Sequence, residues 1–283
     1  MLVFLNGRFV PEPCAVVSVL DRGFLYGDGL FETLRVYHGR PFLWEKHMER
    51  LQRGADFLGI KLPYSPGELR HAAEELIRRN RLPEALLRLT LTRGIGPRGY
   101  SPKGAEQPVL VMTLHPSAVP DARTNPRWRL ITSSFRVPAG DTIALHKTCN
   151  KLPHILARAE AEARGADEAL LLNTDGEVAE AASSNLFWIE RGTICTTPLA
   201  AGILAGVTRE LVVDLCRELG LVCREKSIKP ARLLQAEGVF LTLSTLEVVP
   251  ALSLDGQRLQ QSPIVAKIRR AYRRAVNCLE CRL

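Results

Sequence analysis

The stretch at residues 115–127, HPSAVPDARTNPR, constrains this chain more than any other. It holds three prolines and little that is apolar, so it suits neither a helix interior nor a central strand. We read 116–126 as a linker between a first domain at 1–115 and a second at 127–283. Two domains of ordinary size also suit a chain of 283 residues.

The first half alternates short strands with two helices. MLVFLNGRFVPEP reads as strand, Asn6-Gly7 turn and strand, with short strands over 1–20. Asp21-Arg22-Gly23-Phe24-Leu25-Tyr26-Gly27-Asp28-Gly29 follows, and three glycines in seven residues mark a loop with close backbone approach. The loop lacks both the G-x-x-x-x-G-K-[ST] and the G-x-G-x-x-G spacing, so on its own it reads as a structural turn. A strand is expected over Phe31–Tyr37. Trp44–Leu58 is helical, with Met48, Leu51, Ala55 and Leu58 on one stripe. His47 and Arg50 share a face of that helix, where Arg50 is either a phosphate fork or a surface residue. Ser65 and Pro66 open a second helix as N-cap and N1. Along Ala85–Arg93, Arg88 and Thr90 point to one side and Leu89 and Leu91 to the other. The loop Arg93–Pro102 carries guanidiniums suited to carboxylates. Val109–Leu114 is the next strand.

The second half opens with a strand over Trp128–Arg136. Lys147 then follows the apolar run Ile143, Ala144, Leu145. A lysine on the shoulder of a core segment is partly desolvated, which suits a Schiff-base nucleophile, although most such lysines are ordinary surface residues. A helix over Leu152–Ala163 and a hairpin come next: Glu168–Asn173, a turn at Thr174-Asp175-Gly176, and a run from Val178 to Phe187. Strands are expected at Ile194–Thr197, Val222–Ser227, Val239–Leu243 and Val248–Leu254. Leu204–Arg209 opens a helix that ends at Gly220, and its N-terminus is a candidate anion site. Pro230–Gln235 is a short helix. A last helix, Ile264–Leu279, is expected to turn Ile264, Ile268, Tyr272, Ala275 and Leu279 inward.

Charge and cysteine usage narrow the function classes. Lys plus Arg number 38 against 30 Asp plus Glu, a net charge of +8. The arginines are spread over helices without interleaved aromatics, which argues against a nucleic-acid partner and leaves attraction of anionic ligands. Seven scattered cysteines, an odd number, do not make a disulfide framework. Cys278-x-x-Cys281 is a lone pair, so no metal is expected. No apolar run reaches the ~20 residues that span a bilayer, and the N-terminus lacks a signal-peptide pattern. We therefore expect no membrane partner and a cytoplasmic location.

Six pieces of the chain, in order, carry a resemblance. They are D-R-G-x-x-Y-G-D-G-L-F-E-T from Asp21, H-x-x-R-L from His47, K-x-x-N from Lys147, the run from Asp167 through Glu180 to Phe187, G-I-L-A-G-V-T-R from Gly202, and S-T-L-E-V-V-P from Ser244. In this order the chain resembles the fold-type IV pyridoxal phosphate enzymes, the class-IV aminotransferases and their lyase relatives. The resemblance implies an α+β fold, with a small sandwich-like first domain and a larger pseudo-barrel second domain. It implies a homodimer, sites at the domain interface, and pyridoxal 5'-phosphate as cofactor. By the same resemblance Lys147 carries the cofactor and moves the proton. Glu180 faces its ring nitrogen. Arg50, Val207, Thr208 and Ser244 hold its phosphate, and Asn185 shapes the turn behind the ring.

Within that group the chain is most similar to the aminodeoxychorismate lyases. Phe31-x-Thr33 and Arg93-Gly-x-Gly-x-Arg98-Gly99-Tyr100-Ser101 carry the similarity. Branched-chain transaminases usually have Gly where this chain has Thr33, and tyrosines where it has Leu86 and Leu152. D-amino-acid transaminases use an Arg-x-His pair where this chain has Arg98-Gly99-Tyr100. The lyase reading implies Thr33 as a second catalytic group beside Lys147. It implies Tyr26, Arg88, Arg98, Tyr100 and Thr245 around a small anionic amino substrate. The alternatives are a transaminase for D- or branched-chain amino acids, or a non-catalytic protein that keeps the fold.

Overall fold

The computed structural model describes residues 1–119 and 126–278. Residues 120–125 of the expected linker lie outside the described residues, as do Leu279 and Cys281. The chain divides into two compact units: Met1–Val119 with His146–Asn150, and Pro120–Leu145 with Lys151–Leu283.

The first unit contains β1 (Leu2–Leu5), β2 (Arg8–Pro11), α1 (Arg22–Tyr26), β3 (Gly29–Tyr37), β4 (Arg40–Pro41), α2 (Trp44–Leu58), α3 (Pro66–Asn80), β5 (Ala85–Thr92) and β6 (Val109–Pro116). The strands form an antiparallel sheet in the order β2-β1-β6-β5-β3-β4. Along β5 every second side chain is buried. Leu87, Leu89 and Leu91 pack with Leu30 and Leu34 of β3 and with Met48, Leu51, Leu69 and Leu76 of α2 and α3. Each fully buried leucine contributes roughly 1.5–3 kcal/mol. The alternation leaves Phe31, Thr33, Arg88 and Thr90 half-buried on the opposite face. Ser65 caps α3 in a capping box with Glu68, as its sequence requires. Past Pro11 the chain is not strand: it makes one 3-10 turn and runs exposed to Leu20. Prolines at 11 and 13 remove the amides that a strand would need there.

The second unit contains β7 (Trp128–Val137), α4 (Leu152–Ala163), β8 (Glu168–Asn173), β9 (Val178–Ala181), β10 (Asn185–Glu190), β11 (Thr193–Thr196), α5 (Val207–Glu218), β12 (Cys223–Glu225), α6 (Pro230–Leu233), β13 (Gly238–Leu243), β14 (Glu247–Leu254), β15 (Gln257–Arg258) and α7 (Pro263–Asn277). Its mixed sheet runs β12-β11-β10-β13-β14-β7-β8-β9, with β15 paired to β14. The α+β class is therefore as expected. No helix of the described residues is long and apolar enough to cross a membrane.

Three further expectations need correction. The run from Val178 to Phe187 is two strands, because residues 182–184 turn and the Ala181 amide donates across that turn to Ser184 O. The buried stripe of α7 is Val265, Ile268, Ala271, Tyr272 and Val276, so Ile264 and Ala275 sit at its margins. Both stripes share Ile268 and Tyr272, and the 3.6-residue period alone does not say which flank packs. Finally, Ile143–Leu145 is not a core segment: it lies in turns, with Ile143 50% exposed. The backbone of Lys147 is instead held by β3.

Candidate active site

The glycine-rich stretch is fixed by buried ion pairs. Asp21 caps α1, its Oδ1 accepting from the Gly23 amide at 2.7 Å. Gly23 has no space for a side chain, since a Cβ there would lie 2.3 Å from Thr92 Cγ2. Arg22 Nε and Arg93 Nε both donate to Asp28 Oδ2, at 2.9 and 2.7 Å. Burial pushes the Asp28 carboxyl up, but its bonds to Arg93 and Arg22 outweigh that and hold it below the ordinary carboxylate range. Arg22 also donates to the carbonyls of Gly99 and Tyr100, at 2.9 and 3.1 Å. The Gly99 amide donates to Tyr26 Oη at 3.1 Å. The D-R-G stretch thus positions the loop that carries Arg98 and Tyr100. Both of those side chains are exposed, Tyr100 to 89%.

Lys147 joins the half-buried face of the first sheet. Its carbonyl accepts from the Phe31 amide at 2.9 Å, and the Cys149 amide donates to Gly29 O at 2.9 Å. Asn150 Nδ2 donates to Gly27 O at 3.2 Å, which ties the K-x-x-N segment to the glycine turn. Lys147 Nζ lies 4.5 Å from the Phe31 ring centroid, and the Arg88 guanidinium 4.0 Å from the same ring. Thr33 stands two residues along β3 and directly across from Arg88. Lys147, Phe31, Arg88 and Thr33 are therefore brought together.

Behind that face is a buried triad that the sequence did not reveal. Glu32 points to the helix side and is 1% exposed. Arg50 Nε donates to its Oε1 at 2.8 Å and Nη2 to its Oε2 at 2.7 Å. Arg50 is 4% exposed, so the surface alternative fails. His47 Nδ1 meets Glu32 Oε2 at 2.6 Å. Burial pushes the Glu32 carboxyl up, but the Arg50 charge and hydrogen bonds win and hold it at about 2. Burial pushes His47 down, so it is neutral at pH 7 and donates through Nδ1–H.

In the second unit the side chains gather around Glu180, which is 6% exposed. Its Oε2 accepts from the Leu204 amide at 3.0 Å and from Asn185 Nδ2 at 3.2 Å. Asn185 Nδ2 also donates to Leu204 O at 2.9 Å, so Asn185 locks this turn as well as touching the carboxylate. Gly206 must be glycine, because a Cβ would lie 1.9 Å from Asn185 Oδ1. As the N-cap of α5 it offers no side chain to the first-turn amides, among them those of Val207 and Thr208. Thr208 Oγ1 and Ser244 Oγ are 3.4 Å apart at the same place, and Thr245 follows, half-buried. The buried hydroxyls of Ser184 and Thr242 have no partner among the described residues. An uncapped helix start beside two hydroxyls fits a phosphate, and a buried carboxylate held by N–H donors fits a protonated ring nitrogen.

His154 is the second residue that sequence reasoning missed. Its Nε2 lies 3.2 Å from Glu180 Oε1. The helical period places His154 on the first turn of α4 but says nothing about a strand 26 residues away.

The profile of the Amino-transferase class IV family matches residues 29–254. A putative branched-chain-amino-acid aminotransferase of Methanocaldococcus jannaschii is 35% identical, over 93% of this chain and 91% of that one. A D-alanine aminotransferase of Bacillus licheniformis is 34% identical over 92% and 90%. An aminodeoxychorismate lyase of Bacillus subtilis is 32% identical over 90% and 87%. Among solved structures, a branched-chain amino acid aminotransferase from T.th., solved with pyridoxamine 5'-phosphate, superposes with a TM-score of 0.89 at 31% identity, covering 96% and 92%.

Proposed function

From the premise that the chain belongs to the amino-transferase class IV family, an enzyme family whose cofactor here is pyridoxal phosphate, we propose that it is an aminodeoxychorismate lyase. The observation that carries this reading is the Thr33 hydroxyl, set across from Arg88 on the face where the Lys147 amine lies over Phe31. Elimination needs a proton donor near the leaving oxygen, and a hydroxyl is one. Apolar side-chain recognition would leave Thr33 and Arg88 without a use.

Arg50, the Val207 and Thr208 amides and the Ser244 hydroxyl would hold the cofactor phosphate, Glu180 the ring nitrogen and Lys147 the carbonyl carbon. Joined to the substrate amine, pyridoxal phosphate supplies a conjugated cation that stabilises negative charge on the adjacent carbon. Arg88 and Arg98 take the two substrate carboxylates, with Tyr26, Tyr100 and Thr245 around the ring. Lys147 Nζ removes the proton from the ring carbon that bears nitrogen. Thr33 donates to the enolpyruvyl oxygen as its bond to the ring breaks. The electrons of the broken C–H bond complete the aromatic ring of 4-aminobenzoate, the Lys147 ammonium returns its proton to Thr33, and the released enol tautomerises to pyruvate, its carbon gaining a proton as its oxygen loses one.

A paired assay on one preparation tests this. Release of 4-aminobenzoate from 4-amino-4-deoxychorismate is expected to exceed amino transfer from L-Leu, L-Val, D-Ala and D-Glu. Thr33→Val is expected to slow release by about 10²-fold, the lower range for one proton-transfer group, with the cofactor retained. Brisk transfer from any of these donors without 4-aminobenzoate would establish the transaminase reading instead.

The same reading includes a cytoplasmic homodimer. Val16, Val19, Leu20 and Phe24 are 76%, 70%, 58% and 74% exposed within nine residues, a concentration of apolar surface that suits burial against a second copy. Light scattering is expected to return twice the chain mass at micromolar concentration; a single chain mass there would overturn the dimer.

A further inference from the structure

The Glu180 carboxylate has about four lone-pair sites. Among the described residues the protein fills three. Oε2 takes the Leu204 amide and Asn185 Nδ2, and Oε1 meets His154 Nε2. A carboxylate accepts only, so His154 carries its hydrogen on Nε2. Its other ring nitrogen, Nδ1, is buried and has no hydrogen-bond partner among the described residues, so Nε2 is the ring's one polar tie.

We propose that His154 is a positioning residue that fixes Glu180, directing the one unfilled site on Oε1 to the cofactor's ring nitrogen. The inference rests on the reading of Glu180 given above and adds an atom assignment to it. The tether acts on a different oxygen from the other two bonds, so removing it leaves Oε2 held and lets the rigid carboxylate pivot about that oxygen.

Three variants and two readouts test it. Nitrogen-15 NMR of the protein, without and with pyridoxal phosphate, is expected to show a hydrogen on His154 Nε2 at pH 7. His154→Leu is expected to lower kcat about tenfold, the scale of one hydrogen bond to a charged group, to change KM less than twofold and to weaken retention of the cofactor. His154→Gln, whose amide nitrogen reaches the same place, is expected to restore kcat to within about threefold. Glu180→Gln is the control for the underlying reading and is expected to depress kcat more than His154→Leu does. If Glu180→Gln is silent, the reading of Glu180 fails. If Glu180→Gln is severe while His154→Leu matches the parent in kcat and cofactor retention, or if NMR shows no hydrogen on His154 Nε2, the positioning role fails alone. A His154→Leu that loses its fold leaves the NMR result and the Gln variant to decide, since a Gln variant as impaired as Glu180→Gln would also overturn the role.

Discussion

Lys147→Ala is expected to lower turnover by at least about 10³-fold, within the range that a positioned proton-transfer group contributes and before the loss of covalent attachment is counted. The backbone of this segment is held by main-chain bonds, Phe31 N–H to Lys147 O and Cys149 N–H to Gly29 O, which do not involve the lysine side chain. The variant should therefore fold, and its unfolding curve should overlay that of the parent. Borohydride reduction of the parent, followed by peptide mass mapping, is expected to place a pyridoxyl group on Lys147. Lys151 is the nearest rival. It is the residue before α4, and its carbonyl accepts from the Ile155 amide at 2.9 Å. A label on Lys151, or a Lys147→Ala enzyme with more than a few per cent of parent activity, would remove Lys147 from its role.

The second large effect is on stability. Glu32→Leu leaves the Arg50 guanidinium buried and without its carboxylate, a change that costs about 3–5 kcal/mol in comparable sites. The double variant Glu32→Leu/Arg50→Met removes both charges and is expected to recover much of that loss. The pH dependence has a definite sign. The folded-state carboxyl is held at about 2 against an ordinary 4.5, so the unfolded chain binds the extra proton first. The stabilisation is complete above about 4.5 and disappears as pH falls from there toward 2. By linkage it is on the order of 3 kcal/mol. Urea unfolding of parent and Glu32→Gln at pH 7 and at pH 3 measures it. The gap between the two is expected to shrink at the lower pH, and a gap that stays constant would show that Glu32 is not the titrating group.

The sequence carried the fold class because its signals are local. Ser65 with Glu68, Asn6-Gly7 and the alternation of Leu87, Leu89 and Leu91 each determine structure within a few residues. The candidate residues themselves were also legible, since they sit in stretches that recur in order. What stayed hidden was which partner each one takes. Arg50 was visible as a helix-face arginine, but its bond to Glu32 joins residues 18 apart on different elements. His154 and Glu180 are 26 apart, and Arg22 reaches a carbonyl 78 residues on. Periodicity reports the side of an element, not the neighbour that covers it. The turn before Lys147 misled for the same reason: three apolar residues in a row look like core, although Ile143 is half exposed.

The K-x-x-N segment belongs to the first unit, although residues 120–145 before it and 151–283 after it belong to the second. This sets an order for folding during synthesis. When the ribosome has released β1 to β6, the six-stranded sheet has all its strands, but the Gly29–Phe31 end of β3 still has one open side, since β4 reaches only Val36 and Tyr37. That side is closed by residues 147–149, more than a hundred residues from β3 along the chain and about thirty beyond the end of β6, through the bridge from Leu30 to Thr148. Closure over such a separation is slow, and an open strand edge is a template for pairing with other chains in the meantime. The nascent first unit thus spends its early life with an unprotected edge, and the segment that finally seals it, through one isolated bridge, is the one that carries Lys147.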